Sequence, residues 1–460
     1  MENCEPLTWY GALVLIILGG LIVIPYLRRK GELISAFNIL LLGIAIYIGL
    51  GCFEAVTSPM RFPGLQWFQP TKDEVSWFMT ASTVFIAALV ATYFYNPVSR
   101  VTIHTFNKWP PETVAMYLTV WSACVAVLVL TSLTTQVFFV GKVLMQMSHK
   151  AVVFASVFSF MLWFRNRLNF AWLALFIATF LGAALFSTLI GGTRRLLLSV
   201  LAGPVICVYM TYVRQWRPTR GMIAVGITTF AVFTLGLMYN AIRHFNVRGE
   251  FKERTAVNVI EEVRHIGERD WLGKFSSDKL RYMSQSNVHY ALFTQRSVDS
   301  GRLETRYFNT LAFLISWPVP RQIWPEKPRP LGGYIIESVV GWGVTSMGVS
   351  IAGHAAYEGG LIVAVLYAFL VAIGLRFIDD PLQRQPANPF LIAVLVSAAP
   401  HILAWPRGDL AVMTVETIEC IIFVIVLAIV TRALFGTQRQ FQSARATIPR
   451  ANVVYRPVVR

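Results

Sequence analysis

The sequence predicts an all-α polytopic membrane protein with about eleven transmembrane helices and one large extracytoplasmic loop. Of its 460 residues, 55% are hydrophobic and only 14% are charged. The apolar residues fall into blocks of about 20 residues, the length at which a helix crosses roughly 30 Å of hydrocarbon. Basic residues concentrate in the short loops between alternate blocks, as the positive-inside rule requires of cytoplasmic loops.

The apolar blocks predict the helices one by one. Such blocks must form helices, because lipid offers no hydrogen-bond partners to the backbone groups of a loop or of an open sheet edge. The fifth block is the weakest, since the mixed stretch 134–150 before it is compatible with an interfacial amphipathic helix. The predicted spans are residues 8–27, 35–53, 77–95, 113–133, 147–164, 170–190, 196–213, 222–242, 351–375, 390–405 and 411–434.

This order divides the chain into four parts. The first eight spans occupy residues 1–242, the extracytoplasmic loop residues 243–350, the last three spans residues 351–434, and a basic cytoplasmic tail residues 435–460. The positive-inside rule places the N-terminus outside and the C-terminus in the cytoplasm. No basic region precedes the first block, so we expect no removable signal peptide.

The long loop is expected to form an ordered extracytoplasmic cap, because connections of this length are usually functional or disordered and this one is not low in complexity. Residues 256–271 and 278–295 have patterns typical of helices. Residues 317–330 read WPVPRQIWPEKPRP and are named the clamp below. We found no repeat and no inverted pair of interrupted helices of the kind that indicates a secondary transporter.

The charge pattern argues against a nucleic-acid-binding protein. The net charge of +16 lies largely in short loops and the tail, so membrane topology explains it and no nucleic-acid partner is predicted.

Phosphate-binding-loop, serine-hydrolase and zinc motifs are absent from the sequence, and we predict no metal and no cofactor. The pair Asp379–Asp380 precedes Pro381 on the cytoplasmic side and is interpreted as a solvated turn.

Several cations break the positive-inside pattern because they fall on the predicted outer side. A guanidinium group suits bidentate recognition of phosphate oxygens, so these cations predict an anionic ligand. The alternative is that they reach lipid headgroups or pair with nearby carboxylates. The residues are Arg194 and Arg195 at the start of the seventh span, Arg321 and Lys327 in the clamp, and Arg407 beside Asp409 before the last span.

A second group lies at the outer end of the ninth predicted span. His354, Tyr357 and Glu358 are spaced i, i+3 and i+4, so a helix places them on one face. An imidazole or carboxylate in apolar surroundings beside cations is a candidate general base for a hydroxyl group, with Tyr357 a candidate substrate contact. The alternative is a hydrogen-bonded packing network between helices. His289 in the loop is a weaker candidate base.

These features together resemble the Wzy-type O-antigen or oligosaccharide repeat-unit polymerases, which are related to the O-antigen ligases. The resemblance covers the chain after residue 150, in the order, side and spacing of its features. It implies a GT-C-like glycosyltransferase of the bacterial cytoplasmic (inner) membrane. The segments that carry it are Gly192 to Arg194, the clamp, Gly353 to Gly360, and Arg407 to Asp409.

The resemblance also implies a reaction. The donor would be an oligosaccharide linked to undecaprenyl pyrophosphate, the acceptor another lipid-linked repeat unit, and the product O-antigen or exopolysaccharide. Membrane lipid and a chain-length regulator protein would be the other partners. Arg194, Arg321 and Arg407 would hold the pyrophosphate leaving group. Related sequences tend to have Glu where this chain has His354, so the base stays open between His354 and Glu358.

Two alternative functions remain at the level of sequence. A transporter or flippase of an anionic lipid-linked substrate would use the same arginines for binding. An O-antigen-ligase-type enzyme would transfer a finished glycan to a different acceptor.

Overall fold

Long helices make up most of the described chain, and no strand occurs among the described residues. The computed structural model describes residues 4–57, 68–95, 109–134, 138–189, 194–247, 286–340 and 348–436, without the side chains of 138–143, 188–189, 194, 232–233, 235–247, 336 and 340. The helices are α1 (Glu5–Leu27), α2 (Ala36–Thr57, with a π-helical turn at Ala45–Leu50), α3 (Lys72–Tyr93), α4 (Val114–Thr134), α5 (Phe138–Arg165), α6 (Phe170–Leu189), α7 (Arg194–Thr211), α8 (Pro218–Val247), α9 (Asn287–Asp299), α10 (Asn309–Ser316), α11 (Leu331–Ile335), α12 (Ser350–Glu358), α13 (Leu361–Arg384), α14 (Pro389–Ala404) and α15 (Leu410–Phe435).

Within the described residues, nine helices are long and apolar enough to cross a membrane. They are α1 to α7, α13 and α15. Helix α14 is also apolar but has only 16 residues. The prediction of an all-α chain with many apolar helices is therefore confirmed for the described residues, while the number of spans and their orientation stay predictions.

Helix α14 lies at the centre of the bundle and packs against α2, α5, α7 and α15. Almost all of its side chains are buried, as expected of a helix that is apolar on every side. Gly43 of α2 crosses α14 so closely that a Cβ atom there would overlap the carbonyl oxygen of Leu403. This close crossing fixes the last turn of α14, which carries His401.

One end of the bundle is covered by residues 286–340 and 348–360, and we call this end the loop face. Helix α9 packs on α12, and polar contacts tie it to the ends of α2 and α3. The N–H and Oγ of Ser286 donate to the Glu54 carboxylate at 3.0 and 2.7 Å, and Arg296 donates to Glu74 at 2.7 Å. The predicted helix at 256–271, and residues 278–285 of the next one, lie outside the described residues.

Two predicted elements are wrong in their boundaries. The ninth predicted span, 351–375, is not one helix, because α12 ends at Glu358 and α13 begins at Leu361. Gly359 and Gly360 between them have φ values of +128° and +79°, a backbone region that glycine adopts without steric cost. The described part of 134–150 is not a separate interfacial helix either, because α5 continues through it.

The solvated turn predicted at Asp379–Asp380 is also wrong. Asp379 is only 1% exposed and lies inside α13. Its carboxylate accepts the backbone N–H groups of Ala36 and Phe37 at 2.7 and 3.0 Å and the Tyr93 hydroxyl at 2.8 Å. A carboxylate in this position satisfies the free N–H groups at the start of α2. Asp379 therefore holds three helices together at the end of the bundle opposite the loop face.

Candidate functional site

Two polar clusters lie near the loop face, and the first surrounds Glu358. This side chain is fully buried at the end of α12, outside the apolar helices that could span a membrane. Its oxygens accept four hydrogen bonds: from the Thr310 N–H and hydroxyl at 2.8 Å each, from His354 Nδ1 at 2.8 Å, and from the Tyr367 hydroxyl. We call these four residues the Glu358 network. The predicted i, i+4 geometry is present, and the carboxylate has no vacant acceptor position.

His354 is engaged through both ring nitrogens. Its Nε2 accepts the N–H of Leu410, the first residue of α15, at 3.2 Å, so the ring proton lies on Nδ1 and points to Glu358. Burial alone would raise the pKa of Glu358, but the hydrogen bonds from His354, the Tyr367 hydroxyl and the Thr310 N–H hold it below its ordinary value. The geometry favours the packing-network interpretation, and the role of either residue as a base stays a prediction.

Tyr357 and Asp409 also hold the loop face together. Tyr357 is 1% exposed, and its backbone oxygen accepts the N–H of Arg306 at 3.1 Å. Asp409 caps α15, because its carboxylate accepts the Ala411 N–H at 3.0 Å, and it also accepts the Gly332 N–H at 3.1 Å. His289 is buried in α9. The substrate contacts of Tyr357 and Asp409 and the role of His289 as a base stay predictions.

The cations of the clamp bind its own backbone. Arg321 donates from its guanidinium to the carbonyl oxygens of Pro325, Lys327 and Pro328 at 3.2 to 3.3 Å. Lys327 is 7% exposed and donates to the Val319 carbonyl at 2.8 Å. These contacts fold the clamp around its cations, and a pyrophosphate would have to compete with the carbonyl groups for Arg321.

Arg195 and Arg407 both flank the first turn of α15. Arg195 lies near the start of α7, and its Nη1 contacts Met413 Sδ at 2.7 Å. The Met413 side chain also lies close to Gly408, because a Cβ added to that glycine would be 3.3 Å from it. Arg407 lies in the turn between α14 and α15, and its Nε is buried without a hydrogen-bond partner among the described residues. Residues 191–193 and the side chain of Arg194 lie outside the described part of the structure.

The second cluster is a cavity of about 70 Å³ enclosed by α5, α7, α14 and α15, and we call it the polar cavity. One water molecule needs about 10–15 Å³ by the same kind of measure, so the space accommodates several waters or a group of phosphate size. It is lined by His149, Lys150, Val153, Arg195, Leu196, Ser199, Ser397, His401 and Glu416.

Lys150 holds two carboxylates in this cluster. Its side chain is 2% exposed, and its Nζ contacts Glu416 and, at 2.8 Å, Glu419 one turn further along α15. His401 Nε2 lies 4.0 Å from the same Glu416 oxygen. Ionisable side chains within membrane helices are costly to bury and usually mark ligand or ion sites. The cluster is therefore the stronger candidate for chemistry.

Several atoms around the polar cavity have no partner within the described part of the chain. His149 Nε2 and His401 Nδ1 are buried without a hydrogen bond, and a buried polar atom left unpaired costs about 1–3 kcal/mol. Glu416 is 24% exposed and uses only Oε2 for its contacts. Two cations, two imidazoles and one open carboxylate oxygen can together bind an anion and accept a proton.

The predictions from sequence did not include the lysine, histidines and glutamates of this cluster, although the sequence contains a signal for them. Lys150, His401, Glu416 and Glu419 all fall within predicted spans, where an ionisable residue indicates a functional site. No local spacing connects them, since Lys150 and Glu419 are 269 residues apart. Only the packing of α5 against α14 and α15 brings them together.

Fold and site together define an all-α protein with many helices apolar enough to span a membrane and a buried ionisable cavity near its loop face. Comparison with protein-family models, with curated proteins and with solved structures found no match to this chain. The likeness to the repeat-unit polymerases therefore rests on the sequence features given above.

Proposed function

We propose that the protein is a membrane glycosyltransferase that polymerises undecaprenyl-pyrophosphate-linked oligosaccharide repeat units at the outer face of the bacterial cytoplasmic membrane. The observation that carries the proposal is the polar cavity, where Lys150, Arg195 and Glu416 meet near the loop face. The sequence resemblance to repeat-unit polymerases supports the substrate class. An anion bound here would be the pyrophosphate of the lipid-linked donor.

The depth of the polar cavity suits a lipid headgroup. Glu416 follows Leu410 by six residues, so it lies about 9 Å along α15 from the start of that helix. A pyrophosphate at the membrane surface reaches this depth while its lipid chain stays in the bilayer. A second cavity, of about 170 Å³, lies between α10, α13 and α15 and is lined mainly by apolar side chains, including Leu314, Leu370 and Ile418. Hydrocarbon is the natural occupant of such a surface in a membrane.

The cations would act on the leaving group. In glycosyl transfer, a hydroxyl of the acceptor attacks the anomeric carbon of the donor, and the bond from that carbon to the pyrophosphate breaks. Negative charge then accumulates on the departing pyrophosphate. Lys150 and Arg195 would neutralise this charge in surroundings of low dielectric constant, where such stabilisation is strong. The Nε of Arg407, which has no hydrogen-bond partner among the described residues, is a further donor at the same end of α15.

The test is a reconstitution assay. Purified protein in liposomes is incubated with lipid-linked repeat units extracted from cells of the same organism that lack this protein. We expect chain extension by the wild type and a loss of about tenfold or more in Arg195→Ala, because one charge-assisted contact contributes about 1.5–3 kcal/mol. Arg220→Ala is the matched control, since Arg220 is exposed near the start of α8, and it should extend chains at the wild-type rate.

The same assay separates the alternatives. No extension by the wild type would contradict the proposal. Movement of labelled lipid across the bilayer without a covalent product would instead support a transporter or flippase. Transfer of glycan only to an unrelated acceptor would support an enzyme of the ligase type.

A further inference from the structure

We infer that Glu416 is the proton acceptor for the attacking hydroxyl, an inference that rests on the proposed glycosyl transfer at the polar cavity. Sequence motifs do not mark this residue, which lies in the second turn of α15. The geometry points to it through a comparison of three glutamate carboxylates near the loop-face end of α15.

The three carboxylates differ in their exposure and in whether they line the polar cavity. Glu358 accepts four hydrogen bonds and is fully buried. Glu419 contacts Lys150 through Oε2 at 2.8 Å and is only 7% exposed. Glu416 contacts Lys150 through Oε2, and its Oε1 has no hydrogen-bond partner in the described ranges. Of the three, only Glu416 lines the polar cavity.

A general base needs an open lone pair within hydrogen-bond reach of the proton it removes. Glu416 Oε1 meets the first requirement, and the cavity gives it access to a ligand. Lys150 contacts the carboxylate from the Oε2 side and fixes its orientation. His401 lies 4.0 Å from that same oxygen and has an unpartnered Nδ1 within the described chain, so an imidazole is in place to receive the proton afterwards.

The proposed step is a substitution at the anomeric carbon of the bound donor by a hydroxyl of the bound acceptor. The acceptor hydroxyl oxygen forms a bond to the anomeric carbon, and the carbon–oxygen bond to pyrophosphate breaks with its electron pair on the pyrophosphate. The hydroxyl proton moves to Glu416 Oε1. The product is one longer lipid-linked glycan and one free lipid pyrophosphate, with the released charge facing Lys150 and Arg195.

The main test compares Glu416→Gln with the wild type in the reconstituted assay. We expect kcat to fall about 10²–10⁴-fold, the usual contribution of a general base. Binding of undecaprenyl pyrophosphate, measured as a ligand-induced shift in the thermal midpoint, should stay close to the wild-type value. Glutamine keeps the size of the side chain and can still accept a hydrogen bond from Lys150, so retained binding also reports a folded protein.

The pH dependence of the rate provides a readout that a merely structural role would not change. The groups that face Glu416 are His149 and Lys150 on α5, Arg195 on α7, His401 on α14 and Glu419 on α15. The wild-type rate should fall on the acid side as the carboxylate takes up a proton. The residual rate of Glu416→Gln should lack this fall, whereas Glu419→Gln should keep it, because that variant removes the other carboxylate on Lys150.

Three results would overturn the inference. A Glu416→Gln rate within about tenfold of the wild type is too high for the loss of a general base. An unchanged acid limb in this variant would place the base elsewhere, and loss of lipid binding together with activity would make Glu416 a binding residue. A wild type without chain extension would instead contradict the proposed function, so the two failures are distinguishable.

Discussion

The Glu358 network and the polar cavity contain the same chemical groups, a carboxylate beside an imidazole, yet they differ in how far those groups are satisfied. Glu358 accepts four hydrogen bonds and joins α10, α12 and α13, while its partner His354 reaches α15. Glu416 has an open oxygen and lies beside imidazole atoms without partners in the described chain. A fully satisfied polar network specifies structure, whereas vacant buried donors and acceptors are available to a ligand.

The largest effect should come from Glu358→Ala. This change leaves the N–H and hydroxyl of Thr310 and the Tyr367 hydroxyl without their acceptor, and it leaves His354 Nδ1 with only the Thr310 hydroxyl at 3.2 Å. Breaking a buried charged network costs about 3–5 kcal/mol. The free energy of unfolding in detergent micelles should fall by this amount. Glu416→Ala is the matched comparison and should cost only about 1–3 kcal/mol, because Lys150 keeps Glu419. Equal losses in the two variants would contradict the distinction between the clusters.

A smaller loss is expected from Gly43→Ala in α2. The added Cβ would overlap the Leu403 carbonyl oxygen, and overpacking of this kind costs about 1–3 kcal/mol. Leu403 is close to His401, so chain extension should fall as well. Gly182→Ala in α6 is the control, since a Cβ at that position meets open space among the described residues. A Gly43→Ala protein as stable as this control would show that the crossing of α2 and α14 is not tight.

The smallest effect should come from pH, because acid only neutralises Glu358 and leaves the side chain in place. Its pKa is lowered in the folded protein relative to the ordinary value of 4.5. The stability that it contributes is therefore fully present above pH 4.5 and is lost as the pH falls through the folded-state value. The thermal midpoint should drop over this acid range in the wild type and drop less in Glu358→Gln. The same drop in both proteins would assign the acid sensitivity to other groups.

The sequence predicted what depends on composition and local spacing. Apolar blocks gave the long helices, and the i, i+4 spacing gave the contact between His354 and Glu358. Hydropathy does not register φ angles, so the break at Gly359 and Gly360 was missed.

Other features depend on packing over long distances. Asp379 caps α2 from 343 residues away, and Lys150 meets Glu416 across 266 residues, so no local pattern specifies either contact. The Arg321 guanidinium donates to backbone carbonyl groups of the clamp, and these hydrogen bonds form only because the clamp folds back on itself. Residue type alone therefore indicated cations near the loop face without showing which of them have room for a ligand.

A cryo-EM structure of the full chain with bound undecaprenyl pyrophosphate tests the central claim most directly. We expect the pyrophosphate in the polar cavity, within hydrogen-bond distance of Arg195 and Lys150, with Glu416 Oε1 near the terminal phosphate, which carries the sugar in the donor. A pyrophosphate bound by Arg321 and Lys327 of the clamp, with no ligand in the polar cavity, would contradict the proposed site.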